Sequence, residues 1–292
     1  MHIVNAKGIL SPSGGMNLYR GCSHGCIYCD SRSKCYQINH DFEDIEVKGN
    51  AIELLEDALR RRRRPCMIST GAMTDPYIPL EKELCFMRRS LELIERYGFG
   101  VNVLTKSTLV LRDLDLFKRI HRKTKCVVQM TLTTHDEELC KKLEPNVSTT
   151  RERVEALRVF RDAGIPTVVW LSPLLPYIND TEENIRAILD ACIDAKVRGI
   201  VCFGMGMTLR EGNREYYFQH LDRYFPGLKA RYVREFHNWY SFSRPGAEPL
   251  MDLFHETCAA HGIMHDNDEI FAWLHDLEER PDGEQLSLLD SL

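Results

Sequence analysis

Three cysteines fall within eight residues, in the stretch Gly21-Cys22-Ser23-His24-Gly25-Cys26-Ile27-Tyr28-Cys29. Thiolates spaced by three and then two residues converge on one small inorganic centre when the loop carrying them is tight. A structural zinc ion needs a fourth ligand, which His24, Asp30 or Cys35 offers. An iron–sulfur cluster held by three cysteines instead leaves one iron free to bind a substrate or cofactor. Both remain open from spacing alone, but close spacing of three thiols points to metal.

The composition sets the compartment and the partners. The chain has 292 residues, 38 Lys+Arg against 43 Asp+Glu, a formal charge of −5 and eleven cysteines. No basic segment leads into an apolar one at the start, so reduced thiols and a cytoplasmic location are expected rather than a secreted disulfide scaffold. No apolar run approaches the roughly 18 residues that span a bilayer. The acidic balance excludes a uniformly basic nucleic-acid binder and leaves room for a local basic cleft.

The elements that must position the cysteines alternate in type. Helical periodicity predicts helices over 51–63, 84–97, 111–121, 151–163 and 181–195, with Gly98 and Gly164 at two C-terminal caps. Between them, apolar stretches at 66–70, 101–105, 126–133, 167–171 and 199–204 predict strands, and a further strand is expected near 15–19. Such alternation implies right-handed βαβ crossovers and a parallel sheet, hence an α/β fold: a partial (β/α)6 TIM-like barrel over 1–205. An aromatic C-terminal extension over 206–280 carries helices predicted at 248–260 and 267–280, and a tail occupies 281–292. The eight other cysteines form no second close-spaced group and are expected to be small core residues.

The spacing of Cys22, Cys26 and Cys29, with aromatic Tyr28 before the third, resembles the signature of the radical S-adenosylmethionine (SAM) superfamily. More narrowly, Leu18-Tyr19-Arg20-Gly21 before it, Thr131-Leu132-Thr133-Thr134-His135-Asp136, Leu143-Glu144-Pro145, Arg153 to Pro166, and Ser172-Pro173-Leu174-Leu175-Pro176 resemble the spore photoproduct lyase-like branch, over about 15–205. The resemblance implies that the three cysteines hold a [4Fe–4S] cluster whose fourth iron chelates SAM. Reductive cleavage of SAM to a 5′-deoxyadenosyl radical would follow, with a flavodoxin- or ferredoxin-type electron donor and nucleic acid as substrate. It also implies cofactor contacts from Tyr28, which would further serve catalysis, and from the loop after the 66–70 strand, with Thr70, Gly71, Thr74 and Asp75. Lys106 would face the SAM carboxylate, Thr131 would touch the cofactor, and Leu174 and Leu175 would pack near the adenine. Independently of the family, the working residues of barrel-like α/β folds gather at the C-terminal strand ends, where several of these residues fall.

One departure bears on substrate. Photoproduct lyases use a cysteine in the loop after the second strand as hydrogen-atom donor, and here that loop reads Gly71-Ala72-Met73-Thr74, while Asp30 follows Cys29 where a tyrosine is expected. The arginine run 60–64 ends a helix and is expected to be solvated, away from the cluster. The segment 231–244, with Trp239, Tyr240 and Phe242, suits either a substrate surface or a barrel cap. In the tail, Gln285, Leu286, Leu288 and Leu289 resemble the pentapeptide that binds the DNA polymerase sliding clamp. Three functions therefore compete: a radical SAM enzyme acting on nucleic acid, one modifying a peptide, protein or small molecule, and a non-catalytic zinc-stabilised module recruited to the clamp.

Overall fold

The computed structural model describes residues 1–278, so the clamp-like segment 285–289 lies outside the described residues. In chain order the strands are β1 (His2–Val4), β2 (Gly15–Met16), β3 (Tyr19–Arg20), β4 (Glu46–Lys48), β5 (Met67–Thr70), β6 (Gly100–Thr105), β7 (Cys126–Thr131), β8 (Thr167–Trp170), β9 (Gly199–Val201), β10 (Gly206–Thr208) and β11 (Ser241–Ser243). The helices are α1 (Ala51–Arg61), α2 (Glu81–Leu84), α3 (Phe86–Arg96), α4 (Leu114–Lys123), α5 (Glu137–Leu143), α6 (Thr150–Asp162), α7 (Glu182–Asp194), α8 (Asn213–Tyr224), α9 (Leu228–Phe236), α10 (Glu248–Ala260) and α11 (Asn267–His275).

Six strands form one parallel sheet in the order β2-β5-β6-β7-β8-β9, the curved wall of a partial barrel. Alternation along the strands divides it into two faces. Val101, Val103, Val128 and Met130 join the core under the outer helices, while Val127, Val168 and Val201 pack inward on Ile270 and Leu274 of α11. The crossover helices begin where the sequence supplies caps. Asp136 accepts from the amides of Glu138 and Leu139, Thr181 from that of Asn184, and Thr149 and Glu152 complete a capping box before α6.

The structure adds two sheets that the sequence pattern did not separate. The strand expected near 15–19 divides: Gly15–Met16 joins the barrel, whereas Tyr19–Arg20 turns into a three-stranded sheet of order β1-β4-β3. The hairpin of β10 and β11 pairs Gly206 with Ser243, 37 positions apart in sequence. The extension contributes to both ends of the barrel. Tyr217, Tyr232, Phe236 and Phe242 form a core with Ile27, Tyr28 and Leu175 at the cysteine loop, while α10 packs on α7. Helix α11 lies beneath the inner face, where Asn102 Nδ2 donates to the Leu274 carbonyl and Lys125 Nζ to that of Trp273.

Two expectations need correction. Cys35 is exposed, because the 3₁₀ turn Lys34–Tyr36 that carries it buries none of its residues. Cys66 and Cys85 are only partly buried, whereas Cys126, Cys140, Cys192, Cys202 and Cys258 are core residues. The arginine run is solvated as expected, except that Arg62 donates to the carbonyls of Ser11 and Pro12 and to Cys66 Sγ. Among the described residues, no helix is long and apolar enough to cross a membrane.

Candidate functional site

The cysteine loop lies against two other segments. Cys22 N donates to the Phe42 carbonyl, Ile27 N to that of Leu143, and Asn146 N to that of His24. Gly21 is required at the first contact: its φ is +83°, and a Cβ there would sit 2.4 Å from Phe42 O. Cys22 and Cys26 are buried and Cys29 is half-buried on a cavity wall. Burial pushes the Cys22 thiol up to about 12, with Cys29 and Asp75 adding to it, and pushes Cys26 well above its ordinary value. Buried thiolates of this kind need a cationic centre to compensate them.

The surroundings of the thiols bear on the two metal readings. Among the described residues, the three cysteines meet no fourth His, Cys, Asp or Glu in a group that could close a single-ion site. Nor do the other zinc candidates close on them. Buried His24 lies 3.4 Å from Asp75, Asp30 accepts from Ser33 and Tyr36, and Cys35 is 3.5 Å from Arg210 Nη1. Three cysteines without a fourth protein ligand are the donor set of a polynuclear cluster that keeps one iron open.

The cavity, of about 360 Å³, opens at the C-terminal ends of the barrel strands. Its lining includes Tyr28 and Cys29 from the cysteine loop, Gly71 after β5, Lys106 after β6 and Thr131 at the end of β7. Gly71 has φ +104°, and a Cβ on it would fall 1.9 Å from Leu104 O, so the loop can follow this path only with glycine. Lys106 Nζ is 6.0 Å from the centre of the Tyr28 ring. Burial pulls the Lys106 ammonium down, but Cys26, Glu144 and Asp75 more than offset it and hold the group above its usual range.

Other residues implied by the resemblance do not reach this wall. Asp75 is buried and saturated by its own chain: it accepts from Thr105 Oγ1, Lys106 N and Tyr77 N and so fixes the β5 and β6 loops together. Thr70 faces an adjoining hollow inside the barrel and Thr74 another beside Arg20 and Tyr36. Leu174 and Leu175 are fully enclosed in the two larger hydrophobic cores, so packing is their visible role, and Ser172 and Pro173 from the same segment line the cavity instead.

Beneath the cavity wall lies a network that pattern reading did not assign. Tyr28 donates its hydroxyl to Glu144, Glu144 pairs with Arg153, and Arg153 Nη1 donates to the Thr131 carbonyl at 2.7 Å. The ion pair is fully enclosed. Burial pushes the Glu144 carboxyl up, yet Arg153 and Lys106 outweigh it and keep the group below the ordinary range. The Tyr28 phenol is held well above its ordinary value by burial and by Glu144. Glu144 and Arg153 stood within stretches already singled out in the sequence; their meeting depends on how α5 and α6 pack.

The outer wall is polar on one side and aromatic on the other. Asp30 and Tyr36 line it, with Arg210 donating to Tyr36 Oη at 2.8 Å and to Tyr240 Oη at 3.1 Å. Opposite them, Trp170 and Phe203 line the cavity, with ring centres 5.9 Å apart, and Phe271 lies 6.3 Å from Phe203. Phe203 is 58% exposed. Trp239 and Tyr240 are also exposed, whereas Phe242 is buried and stacked 4.2 Å from Phe236.

The model of the radical SAM superfamily matches residues 16–191. An uncharacterised protein of Mycobacterium tuberculosis (strain ATCC 25618 / H37Rv) is 31% identical over 223 residues, covering 74% of this chain and 65% of that protein's length. Among solved structures, a spore photoproduct lyase variant superposes with a TM-score of 0.66 at 15% identity, over 90% of this chain and 80% of the other. A spore photoproduct lyase complexed with dinucleoside spore photoproduct gives 0.64 at 14% identity, over the same shares. At such identities the likeness establishes the fold.

Proposed function

The chain belongs to the radical SAM superfamily, and from that premise we propose that it is an enzyme acting on a nucleobase in nucleic acid. The superfamily implies a [4Fe–4S] cluster and SAM, which supply one-electron reductive cleavage and hydrogen abstraction from unreactive carbon. In this reading Cys22, Cys26 and Cys29 hold the cluster. Gly71 lets the backbone approach the cofactor closely, and the Lys106 ammonium meets its carboxylate. Thr131 contributes the facing hydroxyl, and Tyr28, its hydroxyl engaged by Glu144, presents its ring to the cavity. Arg153 holds the end of β7 and Glu144 together, so the cysteine loop and the strand ends keep one spacing.

The observation that carries the substrate class is the aromatic wall. Trp170 and exposed Phe203 border the cavity beside the cysteine loop with their rings inclined at 61°, and Phe203 stacks on Phe271 behind it, which leaves the Phe203 ring as an exposed π-face. Stacking on such a surface is the sequence-tolerant way to hold an unstacked base, at about 1–3 kcal/mol per base. A solved spore photoproduct lyase of the same fold holds a dinucleoside photoproduct, which supports this reading. The loop Gly71-Ala72-Met73-Thr74 lacks the cysteine donor that the resemblance implies, so the product need not be that of the photoproduct lyases.

The test uses the reconstituted, reduced protein with SAM and deuterium-labelled oligonucleotides, damaged and undamaged, followed by mass spectrometry of the 5′-deoxyadenosine formed or the SAM recovered. Deuterium transfer from DNA, lost in Phe203→Ala while SAM cleavage without substrate persists, is the expected result. Transfer from peptides and none from nucleic acid would overturn the proposal.

A further inference from the structure

A second cluster of ligating side chains sits outside the barrel, on the sheet of β1, β4 and β3. We propose that His2, His40 and Asp44, with Glu46 beside them, bind a borderline divalent transition-metal ion such as zinc. One ligand atom from each of His2, His40 and Asp44 lies within 4.8 Å of the others. Glu46 Oε2 is 3.9 Å from both His2 Nε2 and His40 Nε2, so a fourth donor is at hand. Tetrahedral zinc at roughly 2.0–2.1 Å from its ligands separates them by roughly 3.3 Å, which side-chain shifts of about 1 Å would reach.

The pattern of hydrogen bonds favours metal over a chance polar group. His40 shares a hydrogen bond of 2.9 Å between Nδ1 and the Asp41 carbonyl, which makes Nδ1 the protonated nitrogen and leaves the lone pair on Nε2. That Nε2 is buried and has no hydrogen-bond partner among the described residues. His2 Nδ1 lies 2.9 Å from Asp44 Oδ2, so these two donors already face each other, and the N-terminal ammonium holds the other Asp44 oxygen at 2.8 Å. His40, fixed through one ring nitrogen by a carbonyl with the other left free, is arranged as a metal-binding histidine is. Imidazole and carboxylate donors together suit zinc and its neighbours better than calcium or magnesium.

The fold places these donors rather than leaving them to mobile side chains. His2 and Glu46 are register partners across β1 and β4, and His2 N donates to the Ile45 carbonyl. An ion there would pin the first strand and the segment before β4 onto one sheet. Glu46 also lines the hollow that contains Arg20, Tyr36 and Thr74, so the ion would stiffen the wall beside the cavity.

The full-length protein with an unblocked start and a reconstituted cluster is titrated with zinc or cobalt(II), and metal content, the cobalt ligand-field spectrum and Tm are recorded. The expected result is one zinc per chain beyond the cluster iron, a tetrahedral cobalt spectrum and a rise in Tm. His40→Gln and Asp44→Asn, each removing a ligand, should weaken binding by at least the roughly 10- to 100-fold that loss of an outer-shell partner costs, with native circular dichroism retained. A variant with Cys22, Cys26 and Cys29 all changed to Ser should still take up zinc, which separates this site from the cysteines. Uptake that is unchanged in His40→Gln, or abolished by the cysteine changes, would overturn the proposal.

Discussion

Glu144 and Arg153 form a fully enclosed ion pair tied to Tyr28 at one end and to the Thr131 carbonyl at the other. Removing one partner of such a pair leaves an uncompensated charge, so Glu144→Gln should cost about 3–5 kcal/mol in urea unfolding. Tyr28→Phe removes one hydrogen bond to a charged acceptor and should cost about 1.5–3 kcal/mol. Because that hydroxyl is committed to Glu144, the variant should still load iron and cleave SAM, as iron content and 5′-deoxyadenosine assays would show. Ser at any one of Cys22, Cys26 or Cys29 should abolish the cluster absorbance, whereas Cys35→Ala should leave it intact. Asp180 gives a pH signature. Burial pushes its carboxyl from 3.8 up to about 6, with Arg244 pulling the other way. The folded state therefore binds the extra proton between those values, and stability falls as pH rises through that window. Asp180→Asn should flatten a slope worth up to about 3 kcal/mol in denaturant melts. The cysteine spacing was legible in the sequence because its geometry is local. The Glu144–Arg153 contact was not, because it spans nine positions across two helices and a turn.

At the scale of elements, the long crossover helices and the barrel strands were legible, whereas the small sheets and helices α2, α5, α8 and α9 were not. Crossover helices such as α6 carry their signal within one window: periodic apolar residues and a Thr149–Glu152 capping box. Strands β1, β3, β4, β10 and β11 have only two or three residues each, and their pairing is set by partners distant in sequence. The hairpin of β10 and β11 forms one side of the cavity mouth, and Gly206 lets the strands close: a Cβ there would lie 2.0 Å from Phe242 O. Gly206→Ala should therefore pry Phe242 from Phe236, seen as faster amide exchange across 206–208 and 241–243, while the barrel strands stay protected. The same steric argument makes Gly71→Ala a variant that loses SAM binding before it loses the fold, with binding measured by calorimetry on the reconstituted protein.

Across the whole molecule, the extension does more than follow the barrel. Its aromatic part packs behind the cysteine loop, and the chain from Met264, bridged to Gly199, through α11 to Leu274, under Asn102, passes beneath the inner face of the sheet. Edge strands β2 and β9 are not hydrogen-bonded to each other, so the wall is a C-shaped section rather than a ring. Side chains of α11 occupy the lower part of its concave side, where Phe271 and Leu274 share a hollow with Gly15 and Met16. The upper part ends in the exposed Phe203 and the β10–β11 hairpin. A long polymer can therefore be laid across the rim like a cord across a notch, and lifted off again, without any free end being threaded. If the substrate is DNA, covalently closed circles should be processed as readily as linear fragments of the same sequence.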